Sequence, residues 1–307
     1  MILNASGCLD ALVAPETARS LDAFVTKTVT PLPRDGNPPV RIAETDVGML
    51  NTIGLANPGI DAFQRDALPR LTTLGVPLWV SVGGFSADEY AAVCARLDGE
   101  ACVATIELNV SCPNVAAPHE SAWEIVAAAR SATTKPLYAK LSPAVPDIVE
   151  VARAAAAAGA DGLSLVNTIR GLALDERTLR PRLLAAAGGL SGPALKPIAL
   201  AAVYACSAAL DLPIVGMGGV CSGRDALELI AAGAAAVALG TVLFTDPQAP
   251  ARIRAELAAE AAAAGVDKPF QARGIAHTAG IEASPEPVEN PEGGAAEKAG
   301  ISTEIAS

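Results

Sequence analysis

The stretch PLWVSVGGFSADEYAAVCARLDGEACVATIELNV, residues 77–110, decides the fold. It opens with the apolar run PLWVSV (77–82), continues through SADEYAAVCARLDG (86–99), whose apolar residues recur at helical spacing, and ends with the apolar run ATIELNV (104–110). Short apolar runs joined by an amphipathic helix are typical of parallel strands with a crossover helix. The stretch therefore predicts one βαβ unit of a parallel sheet.

The same alternation extends along most of the chain. Apolar runs that predict strands occupy residues 2–6, 23–27, 77–82, 104–110, 136–140, 161–166, 213–218 and 236–240. Helical patterns cover residues 61–75, 86–99, 121–133, 146–160, 194–210, 223–234 and 251–265. Eight strands that largely alternate with helices in 307 residues predict an α/β fold, a single closed (β/α)8 TIM barrel over residues 1–277.

Two segments depart from the repeat. Residues 31–59 are rich in proline and glycine, and they predict an ordered excursion at the barrel mouth in place of another βα unit. Residues 278–307 contain Pro and Glu without aromatic residues, and we expect this acidic tail to be disordered.

Charge and cysteine usage exclude several classes of function. The tail holds six Glu and one Lys, which is −5 of the net charge of −11, and no run of Lys and Arg suits nucleic acid or an anionic membrane. No apolar run approaches the roughly 18 residues of a membrane span. The six cysteines show neither disulfide nor metal spacing. We expect free thiols, no metal site, and a cytoplasmic protein.

Polar residues concentrate where the predicted strands end, and barrel enzymes carry their functional groups at that face. These residues are Lys27, Asn109, Ser111, Cys112, Asn114, Lys140, Asn167 and Thr168.

The last two predicted strands end in glycine-rich loops. GMGGV (216–220) follows the seventh strand, and Gly240 with Thr241 follows the eighth. Bare backbone N–H groups ahead of a helix bind phosphate without a lysine. A tight turn alone would explain one glycine pair, but the matching Gly-Thr on the neighbouring strand favours a phosphorylated ligand.

Cys112 stands out among the cysteines by its position on the loop after the fourth strand, beside Asn109 and Asn114. An isolated Cys is most often a small buried apolar residue, and a Cys/His pair with His119 or His277 is the other alternative. Lysines near a thiol favour its thiolate, so Cys112 is predicted to be a base. Lys27 or Lys140 forming a Schiff base, as in barrel aldolases and lyases, is the rival class.

The chain resembles class 1 dihydroorotate dehydrogenases from about residue 4 to residue 244. The resemblance rests on the order of eight segments, each of which is weak alone. They are VTKTVTPLPRDGNPP (25–39), GMLNTIGLANPG (48–59), IELNVSCPN (106–114), AKLSP (139–143), DGLSLVNTIRG (161–171), GGLSGPALKP (188–197), GMGGVCSGRDALELIAAGA (216–234) and LGT (239–241).

The resemblance implies a flavoenzyme that binds FMN at the barrel mouth and oxidises dihydroorotate to orotate in pyrimidine synthesis. Cys112 would take the proton from C5 of the substrate while hydride leaves C6 for the flavin, and Lys140 would lie beside the N1/C2 edge of the flavin ring. Substrate would be held by Lys27, Asn51, Ile53, Gly54, Leu55, Asn109, Asn114, Asn167 and Thr168. FMN would be held by Ala5, Ser6, Gly7, Lys27, Thr28, Asn109, Lys140, Val166, Gly192, Gly218, Gly219, Gly240 and Thr241.

The resemblance also bears on partners. Cys112 at the base position is similar to the soluble class. The membrane-bound, quinone-dependent class is identified by a pattern with Ser at that position. The motifs look most like the NAD-linked subclass, which implies a homodimer or a heterotetramer with an FAD and iron–sulfur subunit; fumarate as acceptor stays open. A dihydropyrimidine dehydrogenase-like enzyme and a non-catalytic flavin subunit are further alternatives. The segment VAAPHESAW (115–123) after the base is shorter than in the family.

Overall fold

The computed structural model describes residues 1–110 and 121–278, and it confirms the predicted (β/α)8 TIM barrel. All eight predicted barrel strands form, each within about two residues of its predicted bounds. The strands are β1 (Ile2–Asn4), β2 (Phe24–Val25), β3 (Ile42–Thr45), β4 (Gly48–Asn51), β5 (Leu78–Val82), β6 (Val103–Asn109), β7 (Leu137–Leu141), β8 (Gly162–Leu165), β9 (Ile169–Leu172), β10 (Ala187–Ser191), β11 (Ile214–Met217) and β12 (Ala236–Leu239).

The parallel barrel sheet has the order β1-β12-β11-β8-β7-β6-β5-β2. Its two end strands are joined by a parallel bridge between Leu3 and Ala23. The side chain of Asn4 completes the junction, because its Nδ2 donates to the carbonyl of Val25 at 2.7 Å and its Oδ1 accepts from the N–H of Val25 at 2.8 Å. The Asn4 amide therefore takes the place of backbone hydrogen bonds at the junction between β1 and β2, where the barrel closes.

Four of the described outer helices begin at a side-chain cap. Ser86, Ser121, Asp147 and Ser222 accept hydrogen bonds from backbone N–H groups of the first turn, which otherwise lack partners within the helix. The helices are α1 (Pro15–Arg19), α2 (Gly59–Ala62), α3 (Leu68–Leu71), α4 (Ala87–Asp98), α5 (Ala122–Ala132), α6 (Ile148–Ala157), α7 (Lys196–Ala209), α8 (Gly223–Ala231), α9 (Ala249–Ala263) and α10 (Ile275–Thr278).

The helix predicted over residues 61–75 is broken in the structure. It consists of α2, a π-helical turn (Phe63–Ala67), α3 and a 3-10 turn (Thr72–Leu74). Pro69 supplies the reason, because it lacks an N–H group and its ring clashes with the preceding turn. The wider π turn just before it absorbs the misfit.

The hydrophobic core has two layers. The larger lies between the strands and the outer helices, and a smaller one fills the barrel interior with Leu3, Val25, Trp79, Val215 and Met217, among others. The described helices include none that is both long and apolar enough to span a membrane.

A second sheet covers the barrel mouth, and the sequence patterns did not predict its strands. It is antiparallel, with the order β3-β4-β10-β9, and pairs the excursion at residues 31–59 with a segment near residues 169–191. The predicted ordered excursion is therefore confirmed, with a β-hairpin at its centre. We call this sheet the roof.

Candidate active site

A cavity of about 1240 Å³, including its open mouth, lies at the carboxyl ends of the barrel strands and under the roof. Every predicted site residue that the structure describes lines it. These are Ala5, Ser6, Gly7, Lys27, Thr28, Asn51, Ile53, Gly54, Leu55, Asn109, Lys140, Val166, Asn167, Thr168, Gly192, Gly218, Gly219, Gly240 and Thr241.

Two predicted site residues, Cys112 and Asn114, lie outside the described residues. The neighbouring Asn109 ends β6 and lines the cavity. The chain therefore leaves the strand at the cavity, and the roles of Cys112 and Asn114 stay predictions.

The cavity is cationic although the chain is acidic. Lys27 follows β2, Lys140 lies on β7, and the described lining residues include no Asp or Glu. Burial raises the pKa of the Cys8 thiol, while Lys140 and Lys27 lower it, so both ammonium groups act on one wall of the cavity. Such a site favours a ligand that carries or develops negative charge.

A hydrogen-bonded network fixes the polar groups between the two lysines. Asn167 Nδ2 donates to Asn109 Oδ1 at 3.0 Å, and Asn167 Oδ1 accepts from the N–H of Thr168 at 2.9 Å. Thr28 Oγ1 lies 3.0 Å from Ser81 Oγ and accepts a longer bond of 3.4 Å from Asn109 Nδ2. Because the amides hold one another, their orientation is set before any ligand arrives.

Gly7 leaves room for the Lys27 side chain. A Cβ atom at Gly7 would lie 2.9 Å from Lys27 Cδ and 3.3 Å from Lys27 Nζ, and Gly7 also has a φ of +77°. Glycine is therefore required both by the backbone and by the lysine that crosses it.

The opposite end of the cavity presents backbone groups and small side chains. Gly218 and Gly219 follow β11, Gly240 follows β12, and a 3-10 turn begins at Thr241, whose hydroxyl donates to Ser191 Oγ at 2.8 Å. The nearby Lys196 is engaged elsewhere: its ammonium bonds Asp225 at 2.7 Å and Glu228 at 3.0 Å, and the hydrogen bond to Asp225 raises its pKa. This end fits the phosphate site without a lysine that the sequence predicts.

The described lining fits the flavin that the sequence resemblance implies. Cations and amides lie toward one end and bare backbone toward the other, and the wall between them includes Val166, Leu195 and Met217. Planar cofactors bind in sites of this kind, apolar with a few fixed polar groups.

Several lining residues were not predicted. Ser191 and Met217 sit inside quoted motifs, and Cys8 directly follows the predicted site residues 5–7, so position in the sequence was the available signal. Ile42 and Met49 come from the roof, and Phe244 from the turn after β12. Their contribution depends on tertiary placement, which local patterns do not reveal.

Comparison with known proteins gives a consistent result. A model of the family described as dihydroorotate dehydrogenase matches residues 1–260. The catalytic subunit of dihydroorotate dehydrogenase B (NAD(+)) from Desulforudis audaxviator is 47% identical over 268 residues, which cover 85% of this chain and 87% of that protein. A relative from Solibacter usitatus, whose name assigns it to the A (fumarate) type, is 45% identical over 268 residues, covering 83% of this chain and 88% of that protein.

The fold comparison extends to a more distant protein. The crystal structure of ligand-free type DHODH from Eimeria tenella has a TM-score of 0.76 and covers 90% of this chain and 88% of that chain at 23% sequence identity. At this identity the likeness concerns the barrel fold alone.

Proposed function

This chain belongs to the dihydroorotate dehydrogenase family and is an oxidoreductase that converts dihydroorotate to orotate in pyrimidine biosynthesis, and we propose that it does so with FMN in the mouth cavity and Cys112 as the base. The observation that carries this proposal is the cavity itself. It brings Lys27, Lys140 and the Asn109–Asn167 pair together, and no acidic side chain lies among its described lining residues.

FMN supplies the acceptor for the hydride that leaves the substrate. Gly192, Gly218, Gly219, Gly240 and Thr241 would hold its phosphate through backbone groups and one hydroxyl. Ala5, Ser6 and Gly7 would back its ring, with Thr28 and Val166 beside it. Lys140 would place positive charge where the reduced ring becomes negative.

Substrate binding would use the other polar groups of the cavity. Dihydroorotate carries a carboxylate and ring amides, which Lys27 and the asparagines match in charge and in hydrogen-bonding capacity. Asn51, Thr168 and the backbone of residues 53–55 lie on the same cavity and would complete the binding site. Cys112 would accept the proton from C5, and Asn114 would lie beside it.

The names of the relatives support a partner subunit. Relatives at 47% identity are catalytic subunits of an NAD(+)-dependent enzyme, so we propose that electrons pass to NAD through a second subunit that carries FAD and an iron–sulfur cluster, in a heterotetramer. The described cysteines, Cys8, Cys94, Cys102, Cys206 and Cys221, are free thiols, which supports a reducing, cytoplasmic compartment.

Replacing Cys112 with Ala tests the assignment of the base. The variant is expected to purify with bound flavin and to lose about 10²- to 10⁴-fold in the rate of flavin reduction by dihydroorotate, as expected for removal of a general base. Cys102→Ala is the matched control, because Cys102 precedes the same strand at its opposite end. Equal reduction rates in the two variants would contradict the role of Cys112.

Anaerobic stopped-flow measurements separate the remaining alternatives. Dihydroorotate, and not dihydrouracil, is expected to bleach the flavin, since Lys27 suits a carboxylate. Reoxidation by NAD only after addition of the second subunit supports the NAD-linked type, whereas rapid reoxidation by fumarate alone would contradict it. Borohydride trapping of substrate on a lysine would support the Schiff-base class.

A further inference from the structure

The barrel interior below the cavity contains a buried carboxylate, Glu107 on β6. It is 1% exposed, and Lys140 is 7% exposed. Within residues 1–110 and 121–278 these are the only buried acidic and the only buried basic side chains. Because Glu and Lys are rarely buried without a compensating charge, the two are best explained together.

Strand register places Glu107 one layer below the lysine, on the neighbouring strand. On β6 and β7, Glu107 pairs with Tyr138, and Lys140 is the next residue along β7 that points to the same face. Lys140 in turn pairs with Ser164 on β8. Ser164 Oγ donates to Glu107 Oε2 at 2.8 Å. Because β7 lies between β6 and β8, this bond passes across the interior face of β7, between the side chains of Tyr138 and Lys140.

The carboxylate lies one layer below the ligand cavity. Asn109 and Lys140 line the cavity, whereas Glu107 does not. Its second oxygen, Oε1, is buried and has no hydrogen-bond partner among the described residues. On the side away from the cavity, Tyr138 packs on Trp79 with ring centroids 4.7 Å apart. The charge thus lies between an aromatic layer and the lysine layer.

We propose that Glu107 is a positioning residue for Lys140, whose ammonium it balances from below, and that it thereby sets how much positive charge the lysine presents to a bound flavin. The inference rests on the proposed function only in requiring that flavin binds in the mouth cavity. In the barrel interior, charges interact far more strongly than in water. Removing the carboxylate takes away one negative charge from the layer next to the lysine, and the anionic reduced flavin then becomes more favourable relative to the oxidised form.

The test is the reduction potential of FMN-loaded Glu107→Gln, measured by equilibration with a reference dye and without dihydroorotate. At a fixed potential, the ratio of reduced to oxidised flavin is expected to rise at least about tenfold, which is about 30 mV for a two-electron couple. A purely structural role for Glu107 would lower stability without this shift. A change below about threefold would overturn the proposal.

Two control variants separate charge from contact. Glu150→Gln removes an exposed negative charge from the first turn of α6, and solvent screens that charge. Ser164→Ala removes the hydrogen bond and keeps the carboxylate. Both are expected to stay within about threefold of the wild-type ratio. A shift in Glu150→Gln as large as in Glu107→Gln would show that any lost charge suffices and would refute the specific role.

A double variant tests whether Glu107 acts through Lys140. In a Lys140→Met background, Glu107→Gln is expected to lose most of its effect on the flavin ratio; an undiminished effect would overturn the positioning role. If Glu107→Gln alone does not fold, the double variant is expected to restore folded protein, because the buried positive charge is then removed together with the negative one. Failure of the double variant to fold would also refute the pairing.

The outcomes distinguish this inference from the proposed function. A shifted potential in a protein that dihydroorotate does not reduce would refute the activity and keep the Glu107 assignment. Normal turnover of dihydroorotate with an unshifted flavin potential in Glu107→Gln would keep the activity and refute the Glu107 assignment. Wild-type protein that takes up no FMN would overturn both.

Discussion

Replacing Asn4 with Ala perturbs the point at which the barrel closes. Asn4 is 0% exposed, and its amide bonds both the carbonyl and the N–H of Val25, at 2.7 and 2.8 Å. The substitution removes both bonds and leaves two backbone groups in the barrel interior without these partners. No other side chain is needed to explain the expected loss.

The size of the expected stability loss follows from the N–H and the carbonyl of Val25, which lose their hydrogen-bond partner. A typical hydrogen bond contributes about 1 kcal/mol net, and a buried polar group left unsatisfied costs about 1–3 kcal/mol. We therefore expect the free energy of unfolding to fall by about 3 kcal/mol. For a barrel of this size, each kcal/mol corresponds to about 2–4 °C, so the midpoint of thermal unfolding should fall by about 6–12 °C.

The assay is thermal and urea unfolding followed by circular dichroism. Ser131→Ala is the control: it removes a side-chain hydrogen bond of 2.7 Å to the carbonyl of Ala128 at an exposed position, and it should change stability by less than about 0.5 kcal/mol. Flavin affinity should also fall in Asn4→Ala, since the cavity-lining residues 5–7 follow directly. Unfolding of Asn4→Ala within about 0.5 kcal/mol of wild type would refute this account of closure.

Two further predictions concern a glycine in the backbone of the site and the stability of the fold at acid pH. Gly7→Ala and Gly75→Ala both place a side chain at positive φ, at a cost of about 1–2 kcal/mol, but only the Cβ at Gly7 meets another residue, Lys27. Stopped-flow kinetics should therefore show slower flavin reduction by dihydroorotate in Gly7→Ala alone, and equal rates in both variants would contradict the role given to Gly7. Burial acts to raise the pKa of Asp225, but hydrogen bonds from Lys196 and from the N–H of Cys221 lower it below its ordinary 3.8. This carboxylate therefore stabilises the fold above about pH 4, and that stability is lost as pH falls through the lowered pKa. In urea unfolding, the gap between wild type and Asp225→Asn should narrow from pH 6 to pH 3, and a constant gap would argue against the pairing.

The barrel was predictable because its determinants are local. Most barrel strands are short apolar runs with a helix of clear period before or after them, and this repeat has one common architecture. The convergence of the strand-end polar residues followed from the same reasoning, since strand ends in a barrel meet on one face. Lys27 and Lys140, far apart in sequence, therefore lie on one cavity as expected.

The roof was not predictable in the same way. The strand β10, AGGLS, has two glycines and no alternation of apolar and polar residues, so its sequence carries no strand signal. It forms because β4 and β9 supply backbone partners on either side, and the Asn51 side chain, 138 residues away from Gly189, donates to its carbonyl. Pairing over that distance is decided by tertiary structure. The base assigned to Cys112 stays a prediction.

The pairing of the first barrel strand with the last has a consequence for synthesis. The strand β1 pairs with β12, and the N–H of Ala5 donates to the carbonyl of Leu239 at 2.7 Å. During synthesis on the ribosome, β1 can therefore pair with β12 only after nearly the whole barrel has emerged. The loops after these two strands share the cavity, so a nascent chain has no complete cofactor site. A flavin bound in this cavity would therefore need both loops, and hence a complete barrel, for its full set of contacts.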